Sequence, residues 1–129
     1  MAKRKTKTRK QIVKELDTIF SQYIRLKGAD KNGFGTCITC GKKDLVKNMD
    51  AGHFRSRRFY STRWDEDNVN IQCKRCNIWG YGEEYLYSLY LGEKLSKKLY
   101  NKSQEIVKFA NIDLLNLIEK YKILVKQFS

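Results

Sequence analysis

Asp67-Asn68-Val69-Asn70-Ile71-Gln72-Cys73-Lys74-Arg75-Cys76-Asn77 is the stretch that decides the fold. Val69 and Ile71 alternate with polar residues, so 68–72 is predicted to be a short strand with those two on one face. The strand runs into a Cys-x-x-Cys pair, Cys73 and Cys76. Upstream, Cys37-Ile38-Thr39-Cys40 supplies a second pair. Four thiolates in two such pairs are the ligand set of a tetrahedral structural zinc. The competing reading of each pair is a redox dithiol. A zinc bound by four cysteines has no open position for water. The one histidine, His53 in Asp50-Ala51-Gly52-His53, is then free for other chemistry.

Composition narrows the partner. In 129 residues, 27 Lys and Arg against 14 Asp and Glu leave a net charge of +13. That excess calls for a polyanion, DNA or RNA ahead of an acidic membrane surface. No apolar run reaches the roughly 18–20 residues of a membrane helix, so no membrane association is expected. The basic start, Met1-Ala2-Lys3-Arg4-Lys5, is followed by no apolar segment, and no secretory signal is expected. Metal-type cysteine spacing then fits a reducing cytosol.

Outward from the cysteines, the chain reads as one domain with helices at both ends. Residues 1–10 form a flexible basic arm, solvated or contacting phosphate. Over 11–28, Ile12, Leu16, Ile19, Phe20, Tyr23 and Ile24 recur at three- and four-residue steps, an amphipathic helix that Gly28 ends in a left-handed cap. Residues 36–82 form the core: a zinc knuckle over Thr36–Gly41, an extended segment from Leu45 to His53, a basic aromatic loop from Phe54 to Asp67, the second strand, and a helix opening at Cys76-Asn77-Ile78-Trp79. Over 83–129 the chain is helical. Glu83–Leu91 fits helix or strand, with helix preferred; a helix follows from Glu93 to about Val107. The last helix runs from about Asn111, as N-cap, to Gln127. Its stripe of Leu114, Leu117, Tyr121, Leu124 and Phe128 serves intramolecular packing or a dimer seam.

The ordered set Cys-x2-Cys, Asp50-x-x-His53, Asn68, then Cys73-x-x-Cys76-Asn77 resembles the zinc-stapled HNH, or ββα-metal, endonucleases. Ser21–Leu26, Gly35–Gly41, Ala51–Phe54, Asn68–Cys73 and Cys76-Asn77 together resemble the NinG/Rap family of phage recombination proteins over roughly residues 15–92. The resemblance implies an α+β, helix-rich fold: an HNH-like core with a four-cysteine zinc between N- and C-terminal helices. It implies a metal-dependent endodeoxyribonuclease acting on branched or single-strand-containing DNA, such as Holliday junctions or D-loops, in the cytoplasm of the bacterial host. His53, Asn68 and Asn77 take the catalytic places in an H-N-N variant. Mg²⁺ or Mn²⁺ is held by Asn77, with Asp50 as the candidate second ligand. Many HNH enzymes carry a metal-binding Asp or His just before the histidine; here stands Gly52. Asp65, Glu66, Asp67 and Glu83 are the other candidate carboxylates.

Chemistry supports these roles independently. His53 is the only side chain whose ordinary pKa lies near neutrality, which suits a general base. An amide oxygen suits a hard cation. Arg55, Arg57, Arg58, Arg63, Lys74 and Arg75 are candidate phosphate contacts. Phe59, Tyr60 and Trp64 can stack on unpaired bases, or pack the zinc core, Trp64 foremost. Symmetric cutting of a four-way junction needs two active sites, hence an expected homodimer. The alternatives are a non-catalytic zinc-ribbon protein that binds nucleic acid, and an RNA nuclease or toxin of the same fold.

Overall fold

The N-terminal apolar rhythm becomes helix α1, Arg9–Lys27, in a computed structural model that describes residues 6–128. The helix starts earlier than expected because Thr8 and Gln11 cap it reciprocally. Gln11 N donates to Thr8 Oγ1 at 3.2 Å, and Thr8 N donates to Gln11 Oε1 at 2.9 Å. Part of the segment read as a basic arm is therefore structured. Lys7 pairs with Glu15 at 2.5 Å, and Arg9 Nη1 donates to Asn111 Oδ1 at 3.0 Å. Lys3, Arg4 and Lys5 lie outside the described residues. At the other end Gly28 has φ −87°, so no left-handed cap forms. Glycine is needed there for a different reason: a Cβ would sit 2.2 Å from Ile71 Cδ1.

Two small antiparallel sheets follow. Strands β1, Phe34–Thr36, and β2, Lys43–Leu45, form a hairpin around the first cysteine pair. Strands β3, Met49–His53, and β4, Val69–Cys73, form the second sheet, pairing Asp50 with Gln72 and His53 with Val69. The segment expected to be extended from Leu45 is broken by a 3₁₀ turn, Val46–Asn48, where the chain passes from one sheet to the other. Ile38 N donates to Ile71 O at 2.9 Å, which docks the first knuckle on β4. Between β3 and β4 lies the short helix α2, Tyr60–Arg63.

Beyond β4 the helix expected at Cys76 is one π-helical turn, Arg75–Trp79. Continuous helix resumes at α3, Glu84–Leu91. Helix rather than strand wins there because Tyr87 is buried against Phe54 and Leu99, and Leu91, one helical turn on, packs on the same cluster. Helix α4, Glu93–Ser103, ends before Val107, with Ser103 Oγ donating to Tyr100 O at 2.6 Å. The N-cap of α5, Asn111–Lys126, is Ala110 rather than Asn111. Asp113 accepts from Ala110 N at 2.8 Å, and the Asn111 amide is taken by Arg9.

The largest core lies between the end helices. Ile12, Leu16, Phe20 and Ile24 of α1 meet Leu114, Ile118 and Tyr121 of α5. Each such buried side chain contributes about 1.5–3 kcal/mol. The α5 stripe is thus used within the chain. Trp64 joins this core, T-shaped to Phe109 at 5.6 Å, rather than the zinc region. Among the described residues, only Met49, Ile71 and Val46 add apolar packing around the buried cysteines.

Candidate functional site

All four cysteine sulfurs lie within 4.8 Å of one another, and Cys40 and Cys73 Sγ are 3.7 Å apart. A tetrahedron with metal–sulfur bonds of about 2.3 Å sets its sulfurs about 3.8 Å apart, whereas a disulfide needs about 2.05 Å. The donor set fits zinc. Local bonding also favours thiolates: Cys40 N donates to Cys37 Sγ at 3.5 Å, and Thr39 Oγ1 lies 3.3 Å from it. Burial pushes the Cys37 thiol up, but these hydrogen bonds outweigh it and bring the group down to about 6. Burial pushes Cys76 up to about 12, so thiolate there depends on a cation.

Directly beside this cluster a polar cleft of about 510 Å³ is lined by Asp17, Asp50, His53, Arg57, Asn77 and Tyr81, among others. The β3–β4 register brings three of these together. Asp50 and His53 sit on β3, and β4 leads through Cys73 into the π turn that returns Asn77 to Asp50. Asn77 Nδ2 donates to Asp50 Oδ2 at 3.0 Å, and Lys74 Nζ donates to Asp50 Oδ1 at 2.7 Å. Asn77 Oδ1 is left without a protein donor among the described residues. The other carboxylates fall away. Asp65 binds Lys102, and Glu66 binds Tyr23 and Lys27. Asp67 and Glu83 do not line the cleft. Gly52 cannot carry a ligand, since a Cβ would lie 2.1 Å from the buried Gln72 Oε1.

His53 is half-buried and held by a route the sequence did not reveal. Its Nε2 lies 2.8 Å from Arg63 O. A carbonyl only accepts, so Nε2 carries the hydrogen and Nδ1 keeps the lone pair. Arg63 is fixed in turn by Asp17 of α1, through Nε to Oδ1 at 3.1 Å and Nη2 to Oδ2 at 2.5 Å, while Trp64 Nε1 donates to Asp17 Oδ1 at 2.9 Å. Asp17 is thus a missed site residue. Only its place on the polar edge of the first helix hinted at it.

Burial pushes His53 from its ordinary 6.5 to about 4, and the neighbouring Arg57 and Arg63 charges act in the same direction. Burial thus takes the ring below the ordinary imidazole value. The ring stays neutral at cytosolic pH and protonates only in acid. As the sole histidine, its ring C–H resonances report this without assignment. They should not shift between pH 7.5 and 5.5; a midpoint near 6.5 would contradict the burial of the ring.

Asn68 is fully buried and does not line this cleft. Its Oδ1 accepts from Arg55 N at 2.8 Å, while Nδ2 donates to Arg55 O at 3.0 Å and Thr62 O at 2.9 Å. It staples the loop that follows His53 and is a positioning residue. The basic residues divide as well. Arg63 is tied to Asp17. Arg55 donates to Ser103 and Glu84 and lies over the Phe59 and Tyr100 rings at 4.8 and 4.6 Å. Neither is free for phosphate. Lys74 is exposed but paired with Asp50, whereas Arg57, Arg58 and Arg75 are exposed. Of the aromatics expected to stack on bases, Trp64 is buried, Tyr60 packs against it at 5.4 Å, and Phe59 lies beneath Arg55 and Arg58.

Fold and site together define a basic α+β protein with a four-cysteine clamp of zinc-binding geometry and a polar cleft on the strands that carry it. The family model described as bacteriophage lambda NinG protein matches residues 1–129, and the chain belongs to that family. Membership gives it a role in phage recombination. No curated protein and no solved structure matches the chain. No helix among the described residues is long and apolar enough to cross a membrane.

Proposed function

We propose that this chain is a metal-dependent, structure-selective DNA endonuclease of the HNH type, cutting branched DNA such as Holliday junctions or D-loops. The observation that carries the reading is the convergence of Asp50, His53, Asn77 and Arg57 on one cleft beside a separate thiol cluster. With Nε2–H committed to Arg63 O, Nδ1 is the nitrogen left to take a proton from water. Asp50 and Asn77 offer adjacent hard oxygen donors for Mg²⁺ or Mn²⁺ once Lys74 and the Asn77 amide swing aside. Such an ion supplies positive charge to the scissile phosphate and the departing 3′ oxygen. Arg57 and Arg58 bind flanking phosphates, which fixes position without reading sequence. Symmetric cutting of a four-way junction requires two such clefts, so the proposal includes a homodimer.

The test offers zinc-loaded protein, freed of contaminating nucleases, a four-way junction, a fork, linear duplex and RNA in parallel. Cutting of the branched DNAs that depends on Mg²⁺ or Mn²⁺ is the expected result. Binding without cutting under every divalent ion supports a zinc-ribbon binding module instead. Preferential cutting of RNA replaces the DNA substrate.

A further inference from the structure

Tyr81 stands on the cleft in a conformation that its own packing does not explain. Its side chain is 94% exposed, yet its backbone is left-handed, with φ 54°. Gly82 and Glu83 follow at φ 83° and 50°. Non-glycine residues rarely adopt this region and keep it only where the surroundings impose it. Here the imposition comes from the metal clamp. Gly82 N donates to Cys76 O at 2.9 Å, and Gln72 Nε2 donates to Gly82 O at 2.8 Å. Gln72 also donates to Thr39 Oγ1 at 3.2 Å, beside Cys37 Sγ. The loop is therefore hooked from beneath, and the phenol ring is held out into solvent.

Its position gives that ring a use. Tyr81 lines the cleft with His53, Asp50 and Arg57, and also a second cleft of about 360 Å³ lined by His53, Arg55 and Arg58. Ile78, 53% exposed, adds an apolar surface to the first. A phosphodiester placed at His53 and gripped by Arg57 and Arg58 brings the attached nucleoside to this ring. In a continuous duplex that base is already stacked on its neighbours. An unpaired base at a branch is not, and an exposed aromatic ring offers it a new face.

We propose that Tyr81 is the stacking platform for an unpaired nucleobase of the DNA substrate, and so the residue that distinguishes branched from continuous DNA. This rests on the cleft being the place where DNA binds. It moves the stacking role from Phe59, Tyr60 and Trp64, which are occupied, to a residue that is free.

The test measures binding by fluorescence anisotropy with zinc-loaded full-length protein and no added Mg²⁺ or Mn²⁺. The probes are a DNA fork with unpaired nucleotides at the branch and a fully paired duplex of the same length. Tyr81→Ala should weaken fork binding by roughly tenfold to a hundredfold, with a duplex loss at least fivefold smaller. Tyr81→Phe should restore fork binding to near the wild-type level. Because the side chain touches no core, zinc content and helicity should match wild type in both variants. Equal losses on fork and duplex, or no loss on the fork, overturn the assignment. A wild type that discriminates through Tyr81 yet cuts nothing overturns the nuclease reading and leaves this one standing.

Discussion

Cys37→Ser should release the zinc and unfold the centre of the chain. Cys37 is almost completely buried, and its knuckle is docked on β4 through Ile38 N. The apolar cluster that would hold this region without metal consists of Cys37, Cys73 and Cys76 plus Met49, Ile71 and Val46. Structural zinc contributes apparent binding energies of about 10–16 kcal/mol in small zinc domains, against a whole-domain stability of about 5–15 kcal/mol. So few aliphatic side chains, at about 1.5–3 kcal/mol each, do not replace it. Zinc per chain should fall from one towards zero, and Tm should drop by more than about 10 °C. Far-UV circular dichroism should keep part of its helical signal, because the α1–α5 core is built without the metal. The clamp also anchors Gly82 and, through β4, Asn77, so every function of the cleft should vanish with it. Stoichiometric zinc and an unchanged melting curve in the variant would refute the four-thiolate site.

The parts of this molecule that were legible in its sequence are those set by local periodicity or by ligand spacing. Helices α1 and α5 followed from apolar residues at three- and four-residue steps, and the thiol cluster followed from two Cys-x-x-Cys pairs. Boundaries were less legible, because caps depend on partners elsewhere. Asn111 looks like an N-cap until Arg9, from the other end of the chain, takes its amide. Gly28 looks like a left-handed cap, but its missing Cβ makes room for Ile71. The departure at Gly52 has the same kind of cause: Gln72 fills the space a ligand side chain would need. Charge type could be read from sequence, but not charge availability. Arg55 and Arg63 look like phosphate contacts beside Arg57 and Arg58, yet the first two are spent on internal partners contributed by α1, α3 and α4. The Asp17–Arg63–His53 chain joins three elements, and no short motif encodes it.

His53→Ala should slow the cutting of branched DNA by orders of magnitude while leaving the DNA bound. General-base catalysis by a positioned side chain contributes about 10²- to 10⁴-fold, so the rate with Mg²⁺ should fall by that factor. Binding of the junction should change little, since in the proposed function Arg57 and Arg58, not His53, hold the phosphates. His53→Gln separates chemistry from structure. Its amide N–H retains a donor for the Arg63 carbonyl, yet it has no nitrogen able to take a proton near neutral pH. Equal rate losses in the two variants therefore locate the effect in proton transfer. Recovery in the glutamine variant would make the ring a spacer. The pH profile supplies an independent check. A neutral ring held near pKa 4 is in its basic form throughout the cytosolic range, so the rate should be flat in its acid limb from pH 8 down to about 5. Below that, protonation removes the base and the rate falls. A limb centred on 6.5 would mean that the negative charge of the bound DNA restores the ordinary basicity of the imidazole. Wild-type cutting by both variants at every pH would remove His53 from the mechanism and assign the proton transfer from water to another group.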